Sequence, residues 1–389
     1  MNELLPAQAA AIASGVYLLV DRSVQSLQAR GEPLGCERLF HVDDRSGFQG
    51  RSGNMVWHSL SGFGYIAAGE GPFAGDVLVT TRGTLSTADW LSNANVGVQF
   101  GPSGLPVHAG FHEVWKSFKP HLQTFLRGRN PTRIHCVGHS LGGALATITA
   151  DMISAARIAD VVLYTFGCPR TGDAVFARAL TQRVGAAQIH RVYHPSDPVP
   201  MIPLFPFWHA PVGRAGLAIS NAKTGLVDKS AHNMLASYIP AVAGTTWLGL
   251  INAASKRADE AQQVQGWLER SAQGQSGFVM GSARLLDMIG RALQWLMQSA
   301  FKLAGHGLSA ALSVGATVLD QVAWALSTGA SLSIQVAGYV KTLIGAIFSF
   351  LGRSAMGVAD VTVAFLRWVL GLLYTSVRAA AQGALARLR

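Results

Sequence analysis

The stretch that most constrains this chain runs from Thr132 to Ala150, TRIHCVGHSLGGALATITA. A short apolar run, Ile134 to Val137, leads into Gly138-His139-Ser140-Leu141-Gly142, with Gly143 behind it and an alanine-rich helix former after that. The pattern reads as strand, sharp turn and helix. A serine at the apex of such a turn is lifted clear of the sheet, and small flanking glycines let the strand and helix backbones approach closely. Ser140 is therefore the first candidate for chemistry. In a chain with 43 glycines the spacing G-x-S-x-G is a weak signal by itself, and the strand before it and the helix after it give it weight.

Around this centre the chain alternates between strands and helices. Leu4 to Ala29 is helix-patterned, with Leu5, Ala9, Ile12, Val16 and Leu19 at near-helical spacing. Met55 to Ser59 and Gly64 to Ala68 read as short strands between glycines, and Asp76 to Thr81 as a buried β-branched strand. Val107 to Leu126 continues into an amphipathic helix that Asn130-Pro131 closes. Asp160 to Phe166 and Gln188 to Tyr193 are two further strands, with a helix at Asp173 to Thr181 between them. Strand and helix thus alternate from about residue 76 to 193, the pattern of a largely parallel sheet with crossover helices. Ligand groups gather at the carboxyl ends of such strands, and here those ends carry Thr84, Ser140 and Asp197.

Serine-based ester chemistry needs a base to take the hydroxyl proton, a carboxylate to orient the base, and donors aimed at the developing oxyanion. On a sheet of this kind the expected chain order is Ser, then Asp or Glu, then His. Ser140, Asp197 and His232 occur in that order. Asp197 also reads as a turn-forming residue before proline, and His209 in FPFWHAPV competes with His232 as the base. His139 reads as a structural residue beneath the turn, and Arg82 with Asp89 as a local ion pair or turn support. Metal catalysis is poorly matched, because the 12 histidines show no H-E-x-x-H spacing and there is no C-x-x-C. No cofactor is implied.

Six ordered motifs make the pattern specific: TTRGTLSTADW (80 to 90), VHAGFHEVW (107 to 115), VGHSLGGALA (137 to 146), TFGCPRTGD (165 to 173), RVYHPSDPVPMIP (191 to 203) and AHNMLASYI (231 to 239). Over residues 80 to 239 the chain resembles the class 3 lipases of the α/β-hydrolase superfamily, the group that includes the filamentous-fungal triacylglycerol lipases. The resemblance implies an α/β-hydrolase fold with a mostly parallel central sheet. It also implies that Ser140 is the nucleophile, Asp197 the orienting acid and His232 the base, with Thr84 and the backbone N–H of Leu141 forming the oxyanion hole. Leu85 to Asn95 falls where the family carries its lid helix. Trp90 and Leu91 there, with Phe205 and Phe207 in the apolar loop Met201 to Val212, are candidate substrate-binding residues. A fixed surface helix is the alternative for Leu85 to Asn95. The activity implied is a serine hydrolase cleaving carboxylic esters of lipids, of triacylglycerol lipase or phospholipase A type, through an acyl-enzyme at a lipid or membrane interface.

The rest of the chain divides it into a catalytic region, 1–245, and a helical, apolar region, 246–389, that the resemblance does not cover. Lys256 to Arg270 is a charged helical segment, Gly274 to Gly281 a hinge, and Ser282 to Gly305 an amphipathic helix whose stripe is Leu285, Met288, Ile289, Leu293, Leu296 and Ala300. From His306 onward only eight residues are charged, so this all-α tail needs an apolar partner, either protein or lipid. Gln321 to Val340 is uncharged for twenty residues and Val361 to Ser376 holds only Arg367. The Gln, Ser, Thr and Gly in the first stretch favour interfacial or bundle-forming helices over spanning ones. An alternative function is a membrane-perturbing, effector-type protein in which hydrolysis is one of two activities. A catalytically dead binding module of the same fold is a third.

The net charge of +10 comes from scattered basic residues without interleaved aromatics, so nucleic acid is not indicated, whereas an anionic lipid surface fits. Three cysteines, Cys36, Cys136 and Cys168, read as buried thiols of a reducing compartment. No Lys or Arg precedes Arg22, so the N-terminus lacks the basic start of a secretory signal. The expectation is a chain that is cytoplasmic as synthesised, then membrane-associated or exported by a signal-independent route; the sequence names no secretion or inhibitory partner.

Overall fold

The computed structural model describes residues 2–20, 22–53, 58–83, 97–203, 206–219, 226–255, 260–273, 280–304, 318–354 and 361–386. The chain opens on helices α1 (Pro6–Gly15) and α2 (Val24–Ala29), followed by strands β1 (Phe40–His41), β2 (Gly47–Gly53), β3 (His58–Gly69) and β4 (Val77–Thr81). Two short strands, β5 (Val98–Phe100) and β6 (Pro106–His108), precede helix α3 (Ala109–Leu126). The centre is β7 (Arg133–His139), α4 (Leu141–Ala155), β8 (Asp160–Phe166), β9 (Gly172–Asp173), α5 (Ala174–Val184) and β10 (Ile189–Tyr193). After β11 (Phe207–Trp208) and β12 (Leu217–Ala218) come a π-helical turn, Met234–Tyr238, and the short helix α6 (Ile239–Val242).

The main sheet runs β1-β3-β4-β7-β8-β10-β12, with β2 paired to β3. From β4 to β12 every pair is parallel, whereas β1, β2 and β4 lie antiparallel to β3. This is the mostly parallel α/β sheet expected from the alternation. The cause is visible in β7, all seven of whose residues are buried: a strand covered on both faces cannot afford an exposed polar row. Side chains alternate across it. Ile134 and Cys136 join the apolar cluster under α3, α4 and α5, while Val137 joins the one on the opposite face with α1.

Three expectations need correction. The described residues 58–68 do not hold two short strands, because β3 runs unbroken from His58 to Gly69. Its glycines mark close approach and not an end: a Cβ on Gly62 would fall on the carbonyl oxygen of Leu19. The first helical segment is interrupted after Leu19, and Leu5 is 55% exposed and not part of its buried stripe. Residues 54–57 lie outside the described residues.

The C-terminal region is helical: α7 (Trp247–Ser255), α8 (Glu260–Ala272), α9 (Ala283–Ala304), α10 (Val318–Leu332), α11 (Ile334–Phe350) and α12 (Val363–Leu385). Leu285, Ile289, Leu293, Leu296 and Ala300 of α9 are buried, as the stripe requires. The uncharged stretch 321–340 is not one helix. Ser333 ends α10 and caps α11, its hydroxyl accepting from Val336 N–H at 3.3 Å. Apolar side chains of α9 to α12 belong to the same cluster as Val199 and Ile202 of the catalytic region. Among the described residues α12 is the helix long and apolar enough to cross a membrane, with 33% of its apolar window buried.

Candidate active site

Ser140 follows β7 and immediately precedes α4, at φ 59° and ψ −135°. A non-glycine residue there is strained by about 1–3 kcal/mol and persists only where its surroundings dictate it. They do so here. Ser140 N–H donates to Phe166 O at 2.9 Å and Gly143 N–H to Ser140 O at 2.9 Å. A Cβ on Gly142 would fall on the carbonyl oxygen of Thr81 and 2.6 Å from the carbonyl carbon of Arg82, so only glycine lets α4 come this close to β4. Leu141 is the first residue of α4, so its N–H belongs to the free donors of a helix N-terminus.

The chain then brings distant residues to this serine. His232 ends the 3₁₀ turn Lys229–His232, and its Nε2 lies 2.8 Å from Ser140 Oγ. Its Nδ1 lies 2.7 Å from Asp197 Oδ2. The same Oδ2 accepts from Tyr238 O–H at 2.6 Å, and Oδ1 accepts from Val199 N–H at 2.8 Å. Burial, with Asp197 beside it, raises the Tyr238 pKa and keeps the phenol a donor. Ser140, His232 and Asp197 are each 0% exposed.

A second buried series lies behind the first. His139 Nε2 is 2.9 Å from the His232 carbonyl oxygen, and its Nδ1 is 2.8 Å from Tyr17 OH, which accepts from Gly83 N–H at 3.1 Å. Burial, and then the neighbouring His232, lowers the His139 pKa. A neutral ring satisfies both contacts if Nε2 carries the proton and Nδ1 accepts from Tyr17. Tyr17, in the 3₁₀ turn Val16–Leu19 that follows α1, thus ties that turn to the loop before Thr84, a role that sequence pattern did not suggest. Its only signal is an aromatic residue in an otherwise alanine-rich segment.

His209 is not at the serine; its Nε2 is 2.8 Å from Pro200 O. Phe207 is 1% exposed, with its ring centroid 5.2 Å from that of His108. Arg82 bonds the carbonyls of Gly62 and Gly83 and lies over the Phe63 ring at 4.7 Å. Thr84, Leu85, Asp89, Trp90, Leu91 and Phe205 lie outside the described residues. The three cysteines are free and buried, and burial pushes the Cys36 and Cys168 thiols up to about 12. Among the described residues no three His, Cys, Asp or Glu side chains converge as a metal site would need. A cavity of about 580 Å³ lies away from the triad, at the amino-terminal edge of β7 and β8, lined by Thr132, Arg133, Ser154 and Asp160.

His108 is 0% exposed, and neither ring nitrogen finds a partner among the described residues. Burial lowers its pKa from 6.5 to about 4. The unfolded chain therefore binds the extra proton first, and stability falls as pH drops from about 6.5 to about 4, by about 3 kcal/mol for this one group. Urea unfolding of the His108→Phe chain at several pH values should show a correspondingly shallower acid loss. An unchanged slope would mean that other groups carry it.

A strained serine between a parallel strand and a helix, hydrogen-bonded in turn to a histidine and an aspartate, defines this as an α/β-hydrolase fold. Residues 78–207 match the family model for lipase (class 3), and over that segment the chain is similar to that family. A secreted mono- and diacylglycerol lipase of Fusarium solani is 36% identical over 134 residues, 33% of this chain and 39% of that protein. The secreted mono- and diacylglycerol lipase A of Penicillium cyclopium is 32% identical over 148 residues, 36% and 47% of the two chains. The matches thus span less than half the length of these curated relatives. Among solved structures, a lipase from Rhizopus microsporus var. chinensis aligns at TM-score 0.39 and 22% identity, over 55% of this chain and 72% of the other. The relatives are named as secreted proteins, which overturns the expectation of a cytoplasmic chain without a signal peptide.

Proposed function

We propose that this protein is a serine hydrolase that cleaves carboxylic esters of lipids through an acyl-enzyme. The observation that carries the reading is the unbroken hydrogen-bonded series Ser140, His232, Asp197. Ser140 Oγ attacks the ester carbonyl carbon while His232 Nε2 takes its proton. Asp197 holds the ring so that Nδ1–H points at its carboxylate. The tetrahedral oxyanion is met by the N–H of Leu141 and by Thr84, and collapse returns the proton from His232 to the departing alcohol. Water, deprotonated by the same histidine, then cleaves the acyl-serine ester and releases the carboxylic acid. No metal or cofactor is needed for any step.

Partial glycerides are the first substrates to try, because relatives sharing the matched segment are named mono- and diacylglycerol lipases; phospholipid is the second. Trp90, Leu91, Phe205 and Phe207 are proposed to line the acyl path, and a lipid surface is the proposed setting of the reaction. The test is incubation of the purified protein with mono-, di- and triacylglycerol and with phospholipid, followed by mass identification of products. Fatty acid release from at least one is expected, and release from none would overturn the reading. Thr84→Ala keeps the backbone N–H and loses the side-chain hydroxyl and methyl. Its turnover should stay measurable, lower by no more than about 10²-fold, when initial rates are compared with those of the unaltered chain.

A further inference from the structure

Where β8, β10, β11 and α4 face one another they enclose a cavity of about 10 Å³, room for one particle the size of a water molecule. Thr147, Thr165, Cys168, Arg191, Trp208 and His209 are among the residues that line it. Arg191 Nε and Trp208 Nε1 are both closed off from solvent, and neither meets a hydrogen-bond partner among the described residues. Buried donors are nearly always paired, so two orphans on one cavity point to an occupant.

The charge around the cavity says of what kind. Arg191 is the middle residue of β10, with its guanidinium carbon 4.5 Å from the Tyr193 ring centroid. A Cβ on Gly216 would stand 2.1 Å from its Nη2, so a glycine there is what makes room for the group. Among the described residues no carboxylate is ion-paired with Arg191 or with its neighbour Arg170. Asp287, whose charge reaches both, is bonded instead to Arg291 at 2.7 Å. The Cys168 thiol, pushed up to about 12 by burial, supplies no negative charge at neutral pH. His209 Nε2 lies 2.8 Å from Pro200 O, and burial, then Arg191 and Arg170, lowers the pKa of its ring. A water molecule in the cavity would satisfy the orphaned donors and still leave the guanidinium without a counter-charge, the costly state for a buried ion. A monatomic anion little larger than water answers both needs, and oxyanions such as phosphate or sulfate are too large for the space.

We propose that this cavity is a binding site for one halide ion, chloride in ordinary buffers, held by Arg191 Nε–H and Trp208 Nε1–H. Its place in the fold is next to the turn that follows Asp197. The four consecutive carbonyl oxygens of that turn, from Pro200 to Pro203, are held by His209 and Arg170. The ion adds the missing negative charge to this cationic corner, and because only the folded chain assembles the corner, halide stabilises the fold by mass action.

The test is thermal unfolding of the full-length protein in sodium chloride and in sodium gluconate at equal ionic strength, with Arg191→Met and Trp208→Phe chains alongside. Crystals grown in sodium bromide, read by anomalous diffraction, give the position of the ion. The midpoint in chloride should exceed that in gluconate by about 3 °C once chloride stands a hundredfold above its dissociation constant. Arg191→Met removes the charge and should erase the difference. Trp208→Phe keeps an aromatic ring, loses the indole N–H and should shrink the difference, which localises the site even if Arg191→Met fails to fold. A bromine peak should lie within hydrogen-bonding distance of Arg191 Nε. Equal midpoints in the two salts, a difference that survives undiminished in Trp208→Phe, or a cavity that holds water and no bromine would each overturn the proposal.

Discussion

The Ser140→Ala chain should lose ester hydrolysis by about 10⁵- to 10⁶-fold while keeping its fold. Removing the nucleophile of such a triad leaves only what substrate binding and the oxyanion donors supply, a residual of about 10³ to 10⁴ over water. Alanine keeps the Cβ, so the strained backbone at φ 59° and the packing around Gly142 are unaltered, and a lost rate reports lost chemistry. The measurement is kcat together with labelling by a fluorophosphonate, read by intact mass. The unaltered chain should gain one adduct, at Ser140, and Ser140→Ala none. Full activity in the Ala chain would end the assignment of Ser140, and with it the roles of His232 and Asp197.

Asp197→Asn should cost about 10⁴-fold in kcat with little loss of stability. Asp197 accepts from His232 and Tyr238 at Oδ2 and from Val199 N–H at Oδ1. An asparagine has one oxygen to offer. If that oxygen meets Val199 N–H, the amide NH₂ donates to Tyr238 O and to His232 Nδ1. Nearly every group is then paired, with only the Tyr238 hydroxyl hydrogen left over, a cost of about 1 kcal/mol. The histidine, however, is now the wrong tautomer: Nε2 carries a proton and cannot accept one from Ser140. The opposite orientation keeps the tautomer but sets NH₂ against the Val199 N–H, which is the costlier arrangement. Thermal midpoint and kcat measured on the same preparation test this. A variant that keeps more than about a tenth of the rate would sink the account of Asp197 as the residue that sets the tautomer.

What can be read from the chain before folding depends on how far each element is determined locally. The strands β4, β7 and β8 are legible because strands buried on both faces must be continuous apolar runs. Strands of two or three residues such as β9, β11 and β12 are not, because so short a run carries no period and exists only through its partner. β3 is masked by glycines that look like breaks and are instead the places where Leu19 and Thr80 backbones press against it. In the tail, the uncharged stretch from Gln321 to Val340 suggests one long helix by composition, yet Ser333 divides it, a choice made by a capping hydroxyl and the packing of α10 against α11.

The sequence by itself determined the alternation that demands a mostly parallel sheet, the strand-turn-helix that lifts Ser140 and the order of the three candidate residues. All of these are carried by neighbours in the chain, where spacing and residue type act directly. Only the tertiary structure decided that His232, 92 residues from Ser140 and 35 from Asp197, meets both. It alone set Tyr17, Tyr238 and His139 behind them. The C-terminal helices share an apolar cluster with Val199 and Ile202, just beyond Asp197, for the same reason: contacts between segments far apart follow from how apolar faces are shared out across the whole fold, and no local pattern records that division.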